Sequence, residues 1–129
     1  MTVRIIQLGT ERHRDEGLRL GTVRRPPRGV RKERIAEDNW YDVWLPQLAP
    51  SAELVKEAQG AESAKEWQAF VKKYRGEMAV SDNVRLIGLL AALSQNTNFS
   101  VGCCCDDESH CHRSVLRSLL VEHGARVES

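Results

Sequence analysis

No stretch of the 129-residue chain is apolar for long enough to cross a membrane, which takes about 20 consecutive apolar residues. The opening MTVRIIQLGTERHRDEG also lacks the uninterrupted apolar stretch and small-residue cleavage site of a signal peptide, because charged residues break it up. Neither sign of charge dominates: 19 Lys and Arg stand against 18 Asp and Glu, a net charge of +1. Nucleic-acid binding, if any, would have to come from a local patch. There is no internal repeat and no low-complexity segment. A disulfide framework is also missing. Three of the four cysteines are consecutive, Cys103, Cys104 and Cys105, and neighbours in a strand point to opposite faces. Reduced thiols in a cytoplasmic protein that makes no membrane contact are the expectation.

What is present is ordinary for a globular protein: 41% hydrophobic and 29% charged residues. The length is that of one domain, residues 1–129, large enough to bury a core. Val3 to Gly9 predicts a first strand ending at glycine, and Arg12 to Gly17 a charged turn. The partial alternation of Leu18 to Val23 predicts a second extended segment. RRPPRGVRKER follows, residues 24–34, with Arg or Lys at six of its eleven positions. Pro26 and Pro27 exclude a helix and Gly29 permits a sharp bend. Such a charge run is ordinarily a solvated loop, but the Pro-Pro segment stiffens this one.

In DNWYDVWLPQLAP, residues 38–50, the apolar Trp40, Val43, Trp44 and Leu48 predict a short helix against the core, broken up by Pro46 and Pro50. Trp40 and Trp44 suit a homodimer contact equally well. Ser51 predicts the cap of a helix carrying Leu54, Val55 and Ala58 and stopping at Gly60. Ser63 to Glu66 is a capping box opening a helix with Trp67, Phe70, Val71, Tyr74 and Met78 on one stripe. Ser81 or Asp82 caps the next, over 84–94, whose leucines nearly encircle it and predict burial on more than one side. A strand over 99–105, a polar loop over Asp106 to Ser109, a helix over 112–123 stopped by Gly124, and a short edge strand over 125–128 complete the reading. The alternation predicts a small α/β fold, a mostly parallel sheet flanked by helices. In such sheets ligands collect beyond the carboxyl ends of the strands.

That end coincides with the chain's most concentrated chemistry, FSVGCCCDDESHCHRSVLRSLLVEHG. The first turn of a helix offers unpaired N–H groups and the positive end of the macrodipole, an anion site. Arg113 would add a bidentate donor. Cys111, flanked by His110 and His112, is placed for a lowered pKa, against which the acidic Asp106, Asp107 and Glu108 work. Three readings follow. One is a phosphate or nucleic-acid site built from Arg113, the helix amides and the arginines of 24–34. Another is a nucleophilic thiol, Cys111 or Cys105, with His110 or His112 as base. The phosphatase loop does not fit, because seven residues rather than five separate Cys105 from Arg113. A third is metal binding by a set drawn from Cys104, Cys105, His110, Cys111 and His112. The Cys-x5-Cys-His spacing is not a standard zinc pattern, so neither a metal nor another cofactor is expected. Against all three, Cys103 to Cys105 serve equally well as small buried strand residues, with His112 and Arg113 bracing the loop.

The segments RPPRGVRKE, DVWLPQLAPSAEL, WQAFVKKYRGEM and VGCCCDDESHCHRSVLRSLL resemble the YeaO-like branch of the bacterial domain of unknown function 488 family. The resemblance runs from about Leu18 to the last helix. It implies a small cytosolic α/β domain whose activity is not established in general. It also implies that Arg25, Arg28 and Gly29 are brought near the strand–loop–helix turn, and Cys111, His112 and Arg113 match the Cys-His-Arg of many members. The chain departs from YeaO-like relatives in having Arg-Arg-Pro-Pro where they carry an aromatic before Pro-Arg-Gly. It also has a Cys-rich loop, where they commonly lack the cysteine. A thiol that relatives lack cannot be a shared catalyst, so anion recognition is the leading expectation. The ligand would be a phosphate-bearing nucleotide, nucleic acid or metabolite bound by Arg25, Arg28, Gly29, His110 and Arg113. The alternatives are a thiol-dependent enzyme using Cys111 and His112, or an interaction domain without catalysis.

Overall fold

Five consecutive residues, Phe99–Cys103, are all buried, and they form the strand on which the sheet is built. The computed structural model describes residues 1–105 and 107–128; the expectation attached to Asp106 lies outside these. The strands are β1 (Val3–Gln7), β2 (Leu18–Gly21), β3 (Val43–Trp44) and β4 (Phe99–Cys103), in the spatial order β1-β4-β2-β3 and all parallel. β4 has a neighbour on each side, Val3 and Leu18 both lying opposite Phe99. A strand covered on both faces has no solvent side, so its sequence runs apolar or small without alternation.

The helices are α1 (Ala52–Gly60), α2 (Ala64–Met78), α3 (Ser81–Leu93) and α4 (His112–Glu122). Ser51 Oγ accepts from Leu54 N and Ser63 Oγ from Glu66 N, so both predicted caps are in place. The α2 stripe buries Phe70, Tyr74 and Met78, where they meet Ile87 of α3, Val101 of β4, and Leu116 of α4. Each such side chain withdrawn from water contributes roughly 1.5–3 kcal/mol. Tyr74 also donates its hydroxyl to the Leu48 carbonyl at 2.7 Å, so its polar end is satisfied. Among the described residues no helix is long and apolar enough to cross a membrane.

Four expectations need correction. Residues 38–50 form no α-helix; they add the two-residue β3 and a single 3-10 turn, Pro46–Leu48. Asp42 N donates to Arg19 O at 2.7 Å and Leu45 N to Gly21 O at 2.8 Å, bonds that complete the free edge of β2 and that a helix would forgo. Trp44 is 40% exposed, with its indole N–H on Val23 O, while Trp40 packs with Ile6, Leu8 and Tyr41. α3 begins at Ser81, capped by Val80 without a side-chain bond. It is buried on one face only, through Ile87, Leu90 and Ala91, while Leu89 is 55% exposed. β4 ends at Cys103, and Cys104 and Cys105 turn out to the surface. The last segment contributes a single parallel bridge, Val127 to Val3, rather than a strand.

The charged turn before β2 holds a buried ion pair. Arg19 and Glu16 are 0% and 1% exposed. Arg19 Nε and Nη2 donate to the two Glu16 carboxylate oxygens at 2.7 and 2.9 Å, and Nη1 donates to the carbonyls of Thr10 and Asn39. Ser100 of β4 donates its hydroxyl to Glu16 at 2.7 Å. Burial raises the Glu16 pKa, but the bonds from Arg19, Ser100 and the His13 N–H outweigh it and bring it down to about 2. Two loops and the central strand are thereby tied together.

A depressed carboxylate stabilises the fold fully above its ordinary pKa of 4.5 and loses that contribution as pH falls through about 2. We expect acid to remove stability on the order of 3 kcal/mol over this window. Glu16→Gln should lose about 3–5 kcal/mol at neutral pH by leaving Arg19 charged and unpaired, and its stability should vary less with pH below 4.5. Guanidinium titrations of both proteins at several pH values measure the difference.

Candidate functional site: a thiol–imidazole cluster beneath a cationic cleft

β2 and β4 release their chains at the same edge, through Thr22 and Cys103, and α4 starts beside them. Cys111 occupies the N-cap of α4 in extended conformation, φ −128° and ψ 150°. The 3-10 turn before it, Glu108–His110, is closed by Asp107. The Asp107 carboxylate accepts from the Ser109 N–H and hydroxyl and pairs with His110 Nδ1 at 3.0 Å. The bonds from Ser109, then the one from His110, hold its pKa below the usual value. Glu108 pairs with Arg117 at 2.7 Å. Both described acids of this loop are therefore occupied in shaping it.

Cys103, Cys111 and His112 are buried, and one ligand atom from each lies within 4.8 Å of the others. Cys111 Sγ is 3.8 Å from His112 Nδ1, and Cys103 Sγ is 3.7 Å from Cys105 Sγ. The other imidazole nitrogen, Nε2, lies 2.8 Å from Thr22 O and 3.2 Å from Thr22 Oγ1. Thr22 spends its hydroxyl proton on Gly102 O, at 2.9 Å. Both partners of Nε2 are then acceptors, so Nε2 carries the proton and Nδ1 presents its lone pair to Cys111. The edge of Tyr74 packs on the ring, centroids 5.6 Å apart. Gly102 lets β1 pack close against β4: a Cβ there would stand 2.6 Å from Ile6 Cδ1 and 2.8 Å from Ile6 O.

The three sulfurs sit in unequal environments. Hydrogen bonds from Cys103 and Cys105, opposed by burial, bring the Cys111 pKa below the usual thiol value. Cys103 is pushed up by its bonds to Cys105 and Cys111 and by burial. For Cys105 the bond with Cys103 lowers the pKa, but the bond with Cys111 and burial outweigh it and raise it to about 11.

Above the cluster opens a cleft of about 600 Å³, with Arg25 and Arg28 on one wall, Lys56 of α1 on another, and Cys111 and His112 at the floor. A family model described as the active DUF488-N3 subclade matches residues 3–124. The chain belongs to the DUF488 family. No curated protein and no solved structure matches it.

In this DUF488 chain the arginine-rich bend and the Cys-His corner share one hollow. Arg25, Arg28, His110, Cys111 and His112 all line it. Arg24 does a different job, donating its guanidinium to Pro50 O and Ala49 O and so pinning the chain that leads into α1. Gly29, at φ +74°, makes the bend without reaching the cleft wall. Arg113 turns inward instead: it is 4% exposed, donates Nη2 to Cys105 O at 2.6 Å, and among the described residues its Nε has no partner. Sequence reasoning did not single out Thr22 or Lys56, and it set Cys103 aside as strand filling. The strand period of two did carry a signal, since it puts Cys103 and Cys105 on one face and Cys104 on the other.

The Nε2–H tautomer of His112 is a measurable consequence. Long-range nitrogen–proton correlation spectra of the imidazole should show the proton on Nε2, and Thr22→Val should destabilise the fold by about 1 kcal/mol through loss of the hydroxyl bonds. A proton found on Nδ1 would mean that the ring is oriented by something other than Thr22.

Proposed function

We propose that this DUF488 protein binds a phosphate-bearing organic ligand in the cleft over Cys111 and His112. The observation that carries this is the cleft's charge. Among the described residues Arg25 and Arg28 make no hydrogen bond or ion pair, Lys56 adds a third cation, and no carboxylate lines the space. Low-dielectric walls of one sign concentrate anions, and guanidinium forks bind phosphate through paired hydrogen bonds. Val23, Pro50, Val55 and Phe70 supply apolar wall, which suits the organic body of a nucleotide, a nucleic-acid end or a phosphorylated metabolite. The volume falls within the range of small-ligand sites. Titration calorimetry with a nucleoside monophosphate and its unphosphorylated nucleoside tests the reading. The nucleotide should bind more tightly, and Arg25→Ala with Arg28→Ala should weaken it by about tenfold per arginine. Arg34→Ala, which removes an arginine already paired with Glu37 and Asp38, should leave it unchanged. Equal affinity for nucleoside and nucleotide would refute the proposal.

A second reading, a thiol-dependent enzyme, is favoured by the Cys111–His112 contact. An imidazole held at Nε2 presents Nδ1 to a thiol on the cleft floor, the arrangement of a nucleophile with its oriented base. The matched subclade is described as active, which suits this reading. His112→Gln keeps an amide donor for Thr22 but removes the base. In metal-free protein it should slow iodoacetamide modification of Cys111 by about tenfold or more, with the melting temperature little changed. An unchanged rate would count against the nucleophile.

A further inference from the structure

We infer that Cys103, Cys111 and Nδ1 of His112 hold one zinc ion at the floor of the cleft, with Cys105, whose sulfur lies 3.7 Å from that of Cys103, closing the tetrahedron as fourth ligand. This goes beyond the ligand reading and does not rest on it.

Geometry is the first support. Thiolates bound to one zinc at about 2.3 Å in a tetrahedron stand about 3.8 Å apart, and a thiolate and an imidazole nitrogen slightly closer. The Cys103–Cys105 separation is 3.7 Å and the Cys111–His112 Nδ1 separation 3.8 Å. The Cys103, Cys111 and His112 ligand atoms all fall within 4.8 Å of one another. The neighbouring candidates are excluded by their positions. Cys104 is exposed and its sulfur makes no hydrogen bond among the described residues, and His110 is 66% exposed and paired with Asp107.

The imidazole is prepared in the way metal ligands are. A ligating histidine gives its other N–H to a carbonyl or carboxylate, which fixes the tautomer and aims the lone pair at the metal. His112 gives Nε2–H to Thr22 O at 2.8 Å. Charge is the independent support. Arg113 is buried, and among the described residues its Nε has no partner and no carboxylate pairs with it. A buried cation is costly unless an anion accompanies it. Zinc with three thiolates and one neutral imidazole carries one net negative charge, a fixed counter-charge for that guanidinium. Arg113 donates to the carbonyl of Cys105, itself one of the four ligands. Binding deprotonates the thiols and releases their protons to solvent. The cysteine lone pairs are then committed to the metal, so the zinc-loaded and the alkylatable protein are different forms of one cluster.

The full chain, purified without chelator under reducing conditions, should carry one zinc per molecule by elemental analysis. Replacing zinc with cobalt(II) should give the intense visible absorption of a tetrahedral centre and near-ultraviolet thiolate-to-cobalt charge transfer. Cys103→Ser and Cys111→Ser should each weaken cobalt binding by about tenfold or more, whereas Cys104→Ser should leave it unchanged. Circular dichroism of each variant separates loss of ligand from loss of fold. A folded protein that gives only the weak spectrum of octahedral cobalt would overturn the assignment, as would a Cys111→Ser protein that holds cobalt like the parent. Arg25→Ala with Arg28→Ala should keep the metal, so a failed nucleotide titration and a failed metal titration remain separate results.

Discussion

The hydrogen bond from His112 Nε2 to the Thr22 carbonyl, 2.8 Å long, is the constraint on which the site depends. It joins the first residue of α4 to the residue that follows β2, ninety positions earlier in the chain. The Thr22 hydroxyl extends the link to Gly102 O in β4, so two adjacent strands and a helix meet at one side chain. Without it the imidazole could rotate or exchange its proton between nitrogens, and Cys111 would face no defined partner. With it, the ligand atoms of His112, Cys103 and Cys111 lie within 4.8 Å of one another, and Cys105 Sγ lies 3.7 Å from Cys103 Sγ, under a cleft whose walls come from other parts of the chain.

Two buried arginines mark the difference between scaffold and site. Arg19 is fully satisfied: Glu16 takes two of its donors, and the carbonyls of Thr10 and Asn39 accept from a third. Its role is to hold loops against β4, and its charge is cancelled where it lies. Arg113 is equally buried but has one short bond to a carbonyl and an unpartnered Nε. Among the described residues no carboxylate pairs with it.

Much of the framework was legible in the linear chain. Ser51 and Ser63 announced α1 and α2, the Phe70–Tyr74–Met78 stripe announced the buried face of α2, and the unalternating FSVGC run announced a strand covered on both sides. Such signals are local, because caps and periodicity act over a single helical turn or strand pair. Residues 38–50 misled because β3 is held by bonds to β2 more than twenty residues away, and no local pattern encodes a two-residue edge strand. The leucines of α3 misled because composition counts apolar residues without saying how many neighbours will cover them.

For the site, the sequence by itself determined which residue types gather at the strand–loop–helix turn, and that Arg25 and Arg28 sit on a stiff basic bend. Only the tertiary structure decided their arrangement. It faced Arg25 and Arg28 toward Cys111 and His112, turned Arg113 away from the cleft, brought Cys103 into the cluster and made Thr22 the partner of the imidazole. The physical reason is the parallel sheet. Its crossovers bring residues from distant parts of the chain to one carboxyl-terminal edge, where hydrogen bonding and burial, set by neighbours remote in sequence, select which side chains point inward.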